Sequence, residues 1–115
     1  MYGIKNCDTV KKARNFLDNE RVSYGFHDYK VSGVDEARLR GWVAEHGWAT
    51  ILNRSGTTFR ALDAGDKAHI DADKAVLLMM ANPSMIKRPI LDTGRETIVG
   101  FKATTYENAL QAAKV

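Results

Sequence analysis

The chain has 115 residues, 44% of them hydrophobic and 27% charged, with a formal net charge of +3, which suits a single globular domain over residues 1–115. No apolar run approaches the roughly 18 residues of a membrane span, and no basic stretch followed by an apolar one opens the chain as a secretion signal does. The 17 basic residues are scattered among 14 acidic ones rather than gathered with interleaved aromatics, so neither nucleic acid nor a membrane is expected as a partner.

Tyr2, Gly3 and Ile4 form a short apolar entry, read as the end of a first strand. Val10, Ala13, Phe16 and Leu17 then recur at helical spacing, with Asp8 and Thr9 as N-cap candidates. The segment VSYGFHDY (22–29) mixes β-branched and aromatic residues and reads as a second strand. GVDEARLRGWVAEHG (33–47) is amphipathic, with acids at its start, Leu39, Trp42 and Val43 on one face, and Gly47 as C-cap. Residues 48–70 read as short helical pieces joined by glycine-containing loops. DADKAVLLMMANP (71–83) is a helix capped near Asp71 and stopped by Asn82 and Pro83, and its VLLMM run is expected to be buried. RPILDTGRETIVGF (88–101) is the clearest hairpin, with Ile90 and Leu91 opposite Ile98 and Val99 and a turn at Thr93-Gly94. In TTYENALQAAKV (104–115), Thr104 and Glu107 stand at capping-box spacing. Strand-helix-strand, helices, then strand-strand-helix is an α/β order on the thioredoxin-like plan with a helical insert. It places Cys7 on the loop from the first strand to the first helix.

Cys7 is the one cysteine in the chain. It has no internal disulfide partner, which fits a reducing cytosol and a cytoplasmic protein. A thiol at a helix N-terminus faces the positive end of the macrodipole and unpaired backbone N–H groups, and both favour the thiolate. Lys5, Lys11 and Lys12 are close in sequence and add positive charge. The alternative is a small buried apolar cysteine, against which the polar neighbours Asn6 and Asp8 weigh. Asp8, Thr9 and Val10 follow it, so there is no C-x-x-C pair, and a cycle at this thiol needs an external thiol to finish. His27, His46 and His69 show no metal-ligand spacing, and no glycine pattern fits a nucleotide loop. Met79, Met80 and Met85 read as core filler, and Trp42 and Trp48, on either side of Gly47, as packing around a helix end.

YGIKNCDTVKKAR near the start, ILNRSG at 51–56 and PSMIKRPIL at 83–91 resemble the ArsC family, and within it the YffB branch, over essentially the whole chain. The resemblance implies a thioredoxin-like fold with a helical insert and a nucleophile at Cys7, toward which Arg54 and Arg88 reach as anion and thiolate stabilisers. By the same likeness to thioredoxin-like proteins, the Arg88–Pro89 bond is expected to be cis, with Pro89 facing the reactive cysteine. Where arsenate reductases carry a third arginine this chain has Lys102, which keeps the charge but not the planar bidentate fork. Without the resemblance, Arg54 reads as a solvated loop residue and Arg88 as a strand-edge charge, no different from Arg60 or Arg95. Asn6 and Asn53 are either turn residues or positioning groups near the sulfur.

The function implied is a cytosolic single-cysteine thiol oxidoreductase without a metal, using glutathione as reducing co-substrate. Its partners would be glutathione or glutaredoxin on one side and a small oxidised substrate or a protein disulfide on the other. The alternatives are an arsenate reductase linked to glutathione and glutaredoxin, and a transcriptional regulator of the Spx kind that binds RNA polymerase. Spx-type switches use a C-x-x-C pair, and Val10 stands where the second cysteine would be.

Overall fold

The computed structural model describes residues 1–113, so Lys114 and Val115, included in the last expected helix, lie outside the described residues. The chain forms two compact units, one made of Met1–Ser32 with the chain from Arg88 onward and the other of Gly33–Lys87.

The first unit carries the sheet. Its strands are β1 (Tyr2–Gly3), β2 (His27–Asp28), β3 (Ile90–Asp92) and β4 (Thr97–Val99), and its helices are α1 (Asp8–Asn19), α2 (Tyr29–Ser32) and α8 (Ala103–Ala113). The sheet order is β2-β1-β3-β4. β1 runs parallel to β2 and antiparallel to β3, and β3 and β4 form the expected hairpin with Ile90 opposite Val99 and Leu91 opposite Ile98. The hairpin closes through Thr93 N–H donating to the Glu96 carbonyl, with Gly94 at φ +85°, a left-handed conformation that favours glycine. This β-α-β and β-β-α arrangement around an intervening helical segment is the α/β, thioredoxin-like plan read from the sequence. Val10, Ala13 and Leu17 of α1 enclose a core with Leu91, Ile98, Tyr106 and Ala109. Phe16, Phe101 and Tyr106 meet within it, the last pair edge-to-face at 4.8 Å. The Arg88–Pro89 bond is cis, as expected.

Three sequence readings in this unit are corrected. The second strand is two residues long and does not span 22–29. Val22, Tyr24 and Phe26 do alternate onto the core, but β1 offers only Tyr2 and Gly3 for pairing, and Met1 O accepts one further bond from His27 N–H. Asp28 then accepts from Lys30 N–H at 2.8 Å and turns the chain into α2. The N-cap of α1 is Cys7, one residue before Asp8. The last helix starts at Ala103, with Lys102 O accepting from Tyr106 N–H, so Thr104 lies inside the helix and is not its cap.

The second unit is helical: α3 (Glu36–His46), α4 (Trp48–Ile51), α5 (Thr57–Arg60), α6 (Ala64–Lys67), α7 (Ala72–Ala81) and a 3₁₀ turn at Pro83–Met85. α3 packs on α4 and α7, burying Leu39, Trp42 and Val43. Gly47, at φ +86°, ends α3 and opens α4. Asp71 caps α7 by accepting from Lys74 N–H at 2.8 Å. Within VLLMM, Val76 and Met79 are buried but Leu77 is 62% exposed. A helix packed on one side cannot bury a run on every face, so the expectation of full burial fails at Leu77.

Gly3 is needed for close approach in the first unit. A Cβ there would lie 2.9 Å from Val10 Cγ2 and 3.8 Å from Arg88 Cβ, and Val10 is fully buried with no room to give. Gly3→Ala is expected to destabilise the protein by about 1–3 kcal/mol through overpacking. Urea denaturation checks this, and an unchanged midpoint would show that β1 yields freely.

Candidate active site

Cys7 links the end of β1 to the first turn of α1. Its N–H donates to Ile4 O at 3.3 Å and its carbonyl accepts from Lys11 N–H at 2.9 Å, the first helical bond. The backbone is extended (φ −103°, ψ 126°) and the side chain makes no capping hydrogen bond. The half-buried sulfur is left beside the N–H groups of Thr9 and Val10. It also packs against the core of the first unit.

Partial burial pushes the Cys7 thiol up, since a thiolate loses hydration there. The Val10 N–H, the Arg88 guanidinium (by hydrogen bond and by charge) and the Thr9 N–H pull it down. The balance falls below the ordinary thiol value, as for a reactive cysteine. Arg88 is the cation that hydrogen-bonds to the sulfur. Lys5, Lys11 and Lys12 are exposed.

Arg88 also acts on Tyr29, a residue that no motif or spacing singles out. Tyr29 is 3% exposed, and its hydroxyl has no hydrogen-bond partner among the described residues. Burial and then the neighbouring Tyr2 push its pKa up, and Arg88 partly opposes them. Its ring meets His27 at 6.2 Å, and His27 meets Tyr2 at 5.3 Å. A deeply buried phenol and the guanidinium that lowers the Cys7 pKa therefore share one neighbourhood.

The other expected site residues fall in both units. Pro89 is fully buried, and its carbonyl accepts from Gly100 N–H at 2.8 Å. Asn6 is exposed on the loop before Cys7, and Lys102 is exposed just before α8. Asn53 and Arg54 belong to the second unit. Asn53 N–H donates to Met85 O at 2.7 Å, and its side-chain oxygen accepts from Ser55 N–H at 3.3 Å and Ser55 Oγ at 2.9 Å. Asn53 is thus a turn residue that fixes the NRSG loop. A Cβ on Gly56 would come within 3.0 Å of the Asn53 amide. Arg54 is exposed at the tip of this loop, with its guanidinium carbon 5.5 Å from the centroid of the Trp48 ring. The structure therefore brings Cys7, Arg88 and the α1 N–H groups into contact, and separately joins Arg54 to Trp48. Among the described residues, no group of three or more His, Cys, Asp and Glu side chains could hold a metal ion. No helix among them is long and apolar enough to cross a membrane.

The ArsC family model matches residues 2–109. A solved structure of a YffB protein is 60% identical, with a TM-score of 0.93, and the match covers 95% of this chain and 96% of that one. An arsenate reductase (ArsC) related protein from Brucella melitensis is 48% identical at a TM-score of 0.75, over 93% of this chain and 89% of the other. The global transcriptional regulator Spx of Streptococcus mutans is 26% identical over 98 residues, 84% of this chain and 71% of its own length.

Because Arg88 lowers the pKa of Cys7, Arg88→Ala should move the pH profile of Cys7 alkylation upward, toward that of an ordinary thiol. Arg88→Lys should restore part of the shift, having the charge without the fork. Iodoacetamide rates measured across pH read this out, and coincident profiles for wild type and Arg88→Ala would leave Arg88 without influence on the sulfur.

Proposed function

The chain belongs to the ArsC family, and from that premise we propose that it is a cytoplasmic, single-cysteine thiol oxidoreductase that uses glutathione as its reductant. The observation that carries the reading is the half-buried Cys7 sulfur, held below the ordinary thiol pKa by Arg88 and the first N–H groups of α1. Such a thiolate attacks a sulfur–sulfur bond. In a substrate disulfide that carries glutathione, Cys7 attacks the glutathione sulfur and forms a Cys7–glutathione disulfide. The substrate thiolate leaves and takes up a proton. A second glutathione, as thiolate, then attacks the glutathione sulfur of the adduct, releasing oxidised glutathione and the Cys7 thiolate. The net change is one substrate–glutathione disulfide and one reduced glutathione giving the substrate thiol and oxidised glutathione, so the incoming glutathione is the reductant and no second protein cysteine takes part.

Glutathione suits this chemistry because its two carboxylates match cationic side chains. We assign Arg88 and Lys102 to them, with Asn6 and Pro89 shaping the loops that present these groups. Arsenate reduction is the nearest competing activity, supported by likeness to the Brucella melitensis protein. Lys102 weighs against it, since a lysine does not grip an oxyanion by two parallel hydrogen bonds. Turnover of arsenate with glutathione and glutaredoxin by the purified protein would establish that activity instead. Regulation through RNA polymerase, the Spx alternative, ranks lower because Val10 is a fully buried core residue where an Spx-type pair has its second thiol.

Oxidised glutathione is expected to add one glutathione at Cys7, excess reduced glutathione to remove it, and Cys7→Ser to take none. Lys102→Ala should slow the addition, more at low salt than at high, as for a contact that salt screens. Intact-mass spectrometry follows each step, and a Cys7–Cys7 dimer with no glutathione adduct would rule out glutathione in favour of a protein reductant.

A further inference from the structure

We infer that Tyr29 is a positioning residue for the thiol chemistry of Cys7: its buried hydroxyl oxygen is a second seat for the Arg88 guanidinium, taken when the sulfur is no longer an anion. This rests on Cys7 being a thiolate that is consumed and regenerated, as proposed above. Tyr29 is 3% exposed, and its hydroxyl is shut off from solvent with no hydrogen-bond partner among the described residues. A buried hydroxyl left in that condition costs stability that a phenylalanine in the same place would not. The cost is relieved in any state of the site that gives the oxygen a partner.

The partner must come from within the protein. Gly3 shows which groups are at hand. On β2 its partner is Asp28, the residue before Tyr29, and the Cβ it lacks would lie 3.8 Å from Arg88 Cβ. Tyr29 and Arg88 thus flank the same short stretch of β1, and the guanidinium charge acts on the phenol. The other titratable groups around the phenol are Tyr2 of β1 and His27 of β2, whose rings run in series with it. Those nearest the sulfur in the chain are the exposed Lys5, Asp8, Lys11 and Lys12. Arg88 is the group among these that hydrogen-bonds to the sulfur, so its acceptor changes charge as Cys7 reacts. A thiolate accepts strongly from a guanidinium, whereas a neutral thiol or a disulfide sulfur is a weak acceptor. A guanidinium released by the sulfur still has N–H donors to place, and Tyr29 offers a neutral oxygen. Burial pushes the phenol pKa up, so it keeps its proton and adds no competing charge. Tyr29 then favours the neutral thiol and the mixed disulfide over the thiolate, which limits how far Arg88 lowers the Cys7 pKa.

The test compares wild type, Tyr29→Phe, Arg88→Ala and the Tyr29→Phe/Arg88→Ala double variant. Iodoacetamide rates across pH should place the Cys7 pKa of Tyr29→Phe about half to one pH unit below wild type, the roughly three- to ten-fold effect of a net hydrogen bond lost from the neutral state. In the Arg88→Ala background the same substitution should move nothing. An unchanged or raised pKa in Tyr29→Phe, or an equal fall with Arg88 absent, overturns the inference. Phe keeps the ring and removes an oxygen that is unbonded while Arg88 is on the sulfur. At a pH where Cys7 is ionised, the reduced variant should therefore resist urea at least as well as wild type, and a lower midpoint overturns the inference by showing the oxygen already partnered. Equilibration with known ratios of oxidised and reduced glutathione reads the other state. The Cys7 thiolate takes one sulfur of oxidised glutathione, glutathione thiolate leaves, and intact mass gives the adduct fraction. The equilibrium constant for the adduct should fall about three- to ten-fold in Tyr29→Phe, and an equal constant overturns the inference. Absence of any adduct on wild type overturns the glutathione reading alone, and the alkylation profiles then decide on Tyr29.

Discussion

The first unit places the Cys7 sulfur half-buried at the start of α1, where burial opposes ionisation and the Val10 N–H, the Arg88 guanidinium and the Thr9 N–H favour it. Burial alone would keep Cys7 a neutral thiol, because the sulfur packs against the core formed by α1, β3, β4 and α8. Two features reverse that. The N–H groups of Thr9 and Val10 face the sulfur, and the Arg88 guanidinium hydrogen-bonds to it. Gly3 lets β1 lie against both Val10 and Arg88, since any larger residue would meet Val10 Cγ2 first. The pairing of Tyr2 with Ile90 then sets β3, and with it Arg88 and Pro89, beside the strand that leads to Cys7. Strand order, a missing Cβ and a helix terminus thus all bear on one thiol.

Local patterns in the sequence carry the long elements. Val10, Ala13 and Leu17 mark α1 by period alone and are its buried residues. The hairpin is legible from apolar arms about a Thr-Gly turn, and Asp71 from its place ahead of an apolar helix. Failures come where a signal needs a partner to be realised. The alternation of Val22, Tyr24 and Phe26 is real burial without a ladder, because strand structure depends on what the neighbouring strand can pair. Thr104 and Glu107 have capping-box spacing, yet the helix begins before them. Leu77 sits in an apolar run but points away from the one face that α7 packs.

The site is legible in unequal parts. Cys7 is set apart by its chemistry and its place before a helix, which one sequence can show. Arg88 cannot be told from Arg60 or Arg95 by residue type or spacing, and only likeness to the ArsC family points to it. Contact with the sulfur depends on the pairing of β1 with β3, whose partners Tyr2 and Ile90 lie far apart in the chain. Tyr29 is hidden for the same reason, as its burial beside Arg88 is tertiary. Trp48 looks like Trp42 in the sequence, since nothing in the spacing of two tryptophans tells which ring faces the core and which meets an arginine.

Two opposing effects on Cys7 have a chemical consequence beyond its ionisation. A thiolate gains from a lower pKa only while ambient pH lies below it, and its intrinsic nucleophilicity falls as the pKa falls, so attack is fastest when the pKa lies near ambient pH. Arg88 and the α1 N–H groups acting on a fully solvated sulfur would favour the anion more strongly, at the expense of its reactivity. Burial opposes them, and here it is the largest single influence on the group. The core contact that makes Cys7 look like a structural cysteine therefore tempers the same thiolate that Arg88 stabilises. A single cysteine has a further reason to be tuned in this way. In the proposed cycle, with no second thiol to resolve its disulfide, Cys7 serves both as attacking group and as leaving group toward an external thiol, and a lowered pKa helps it leave.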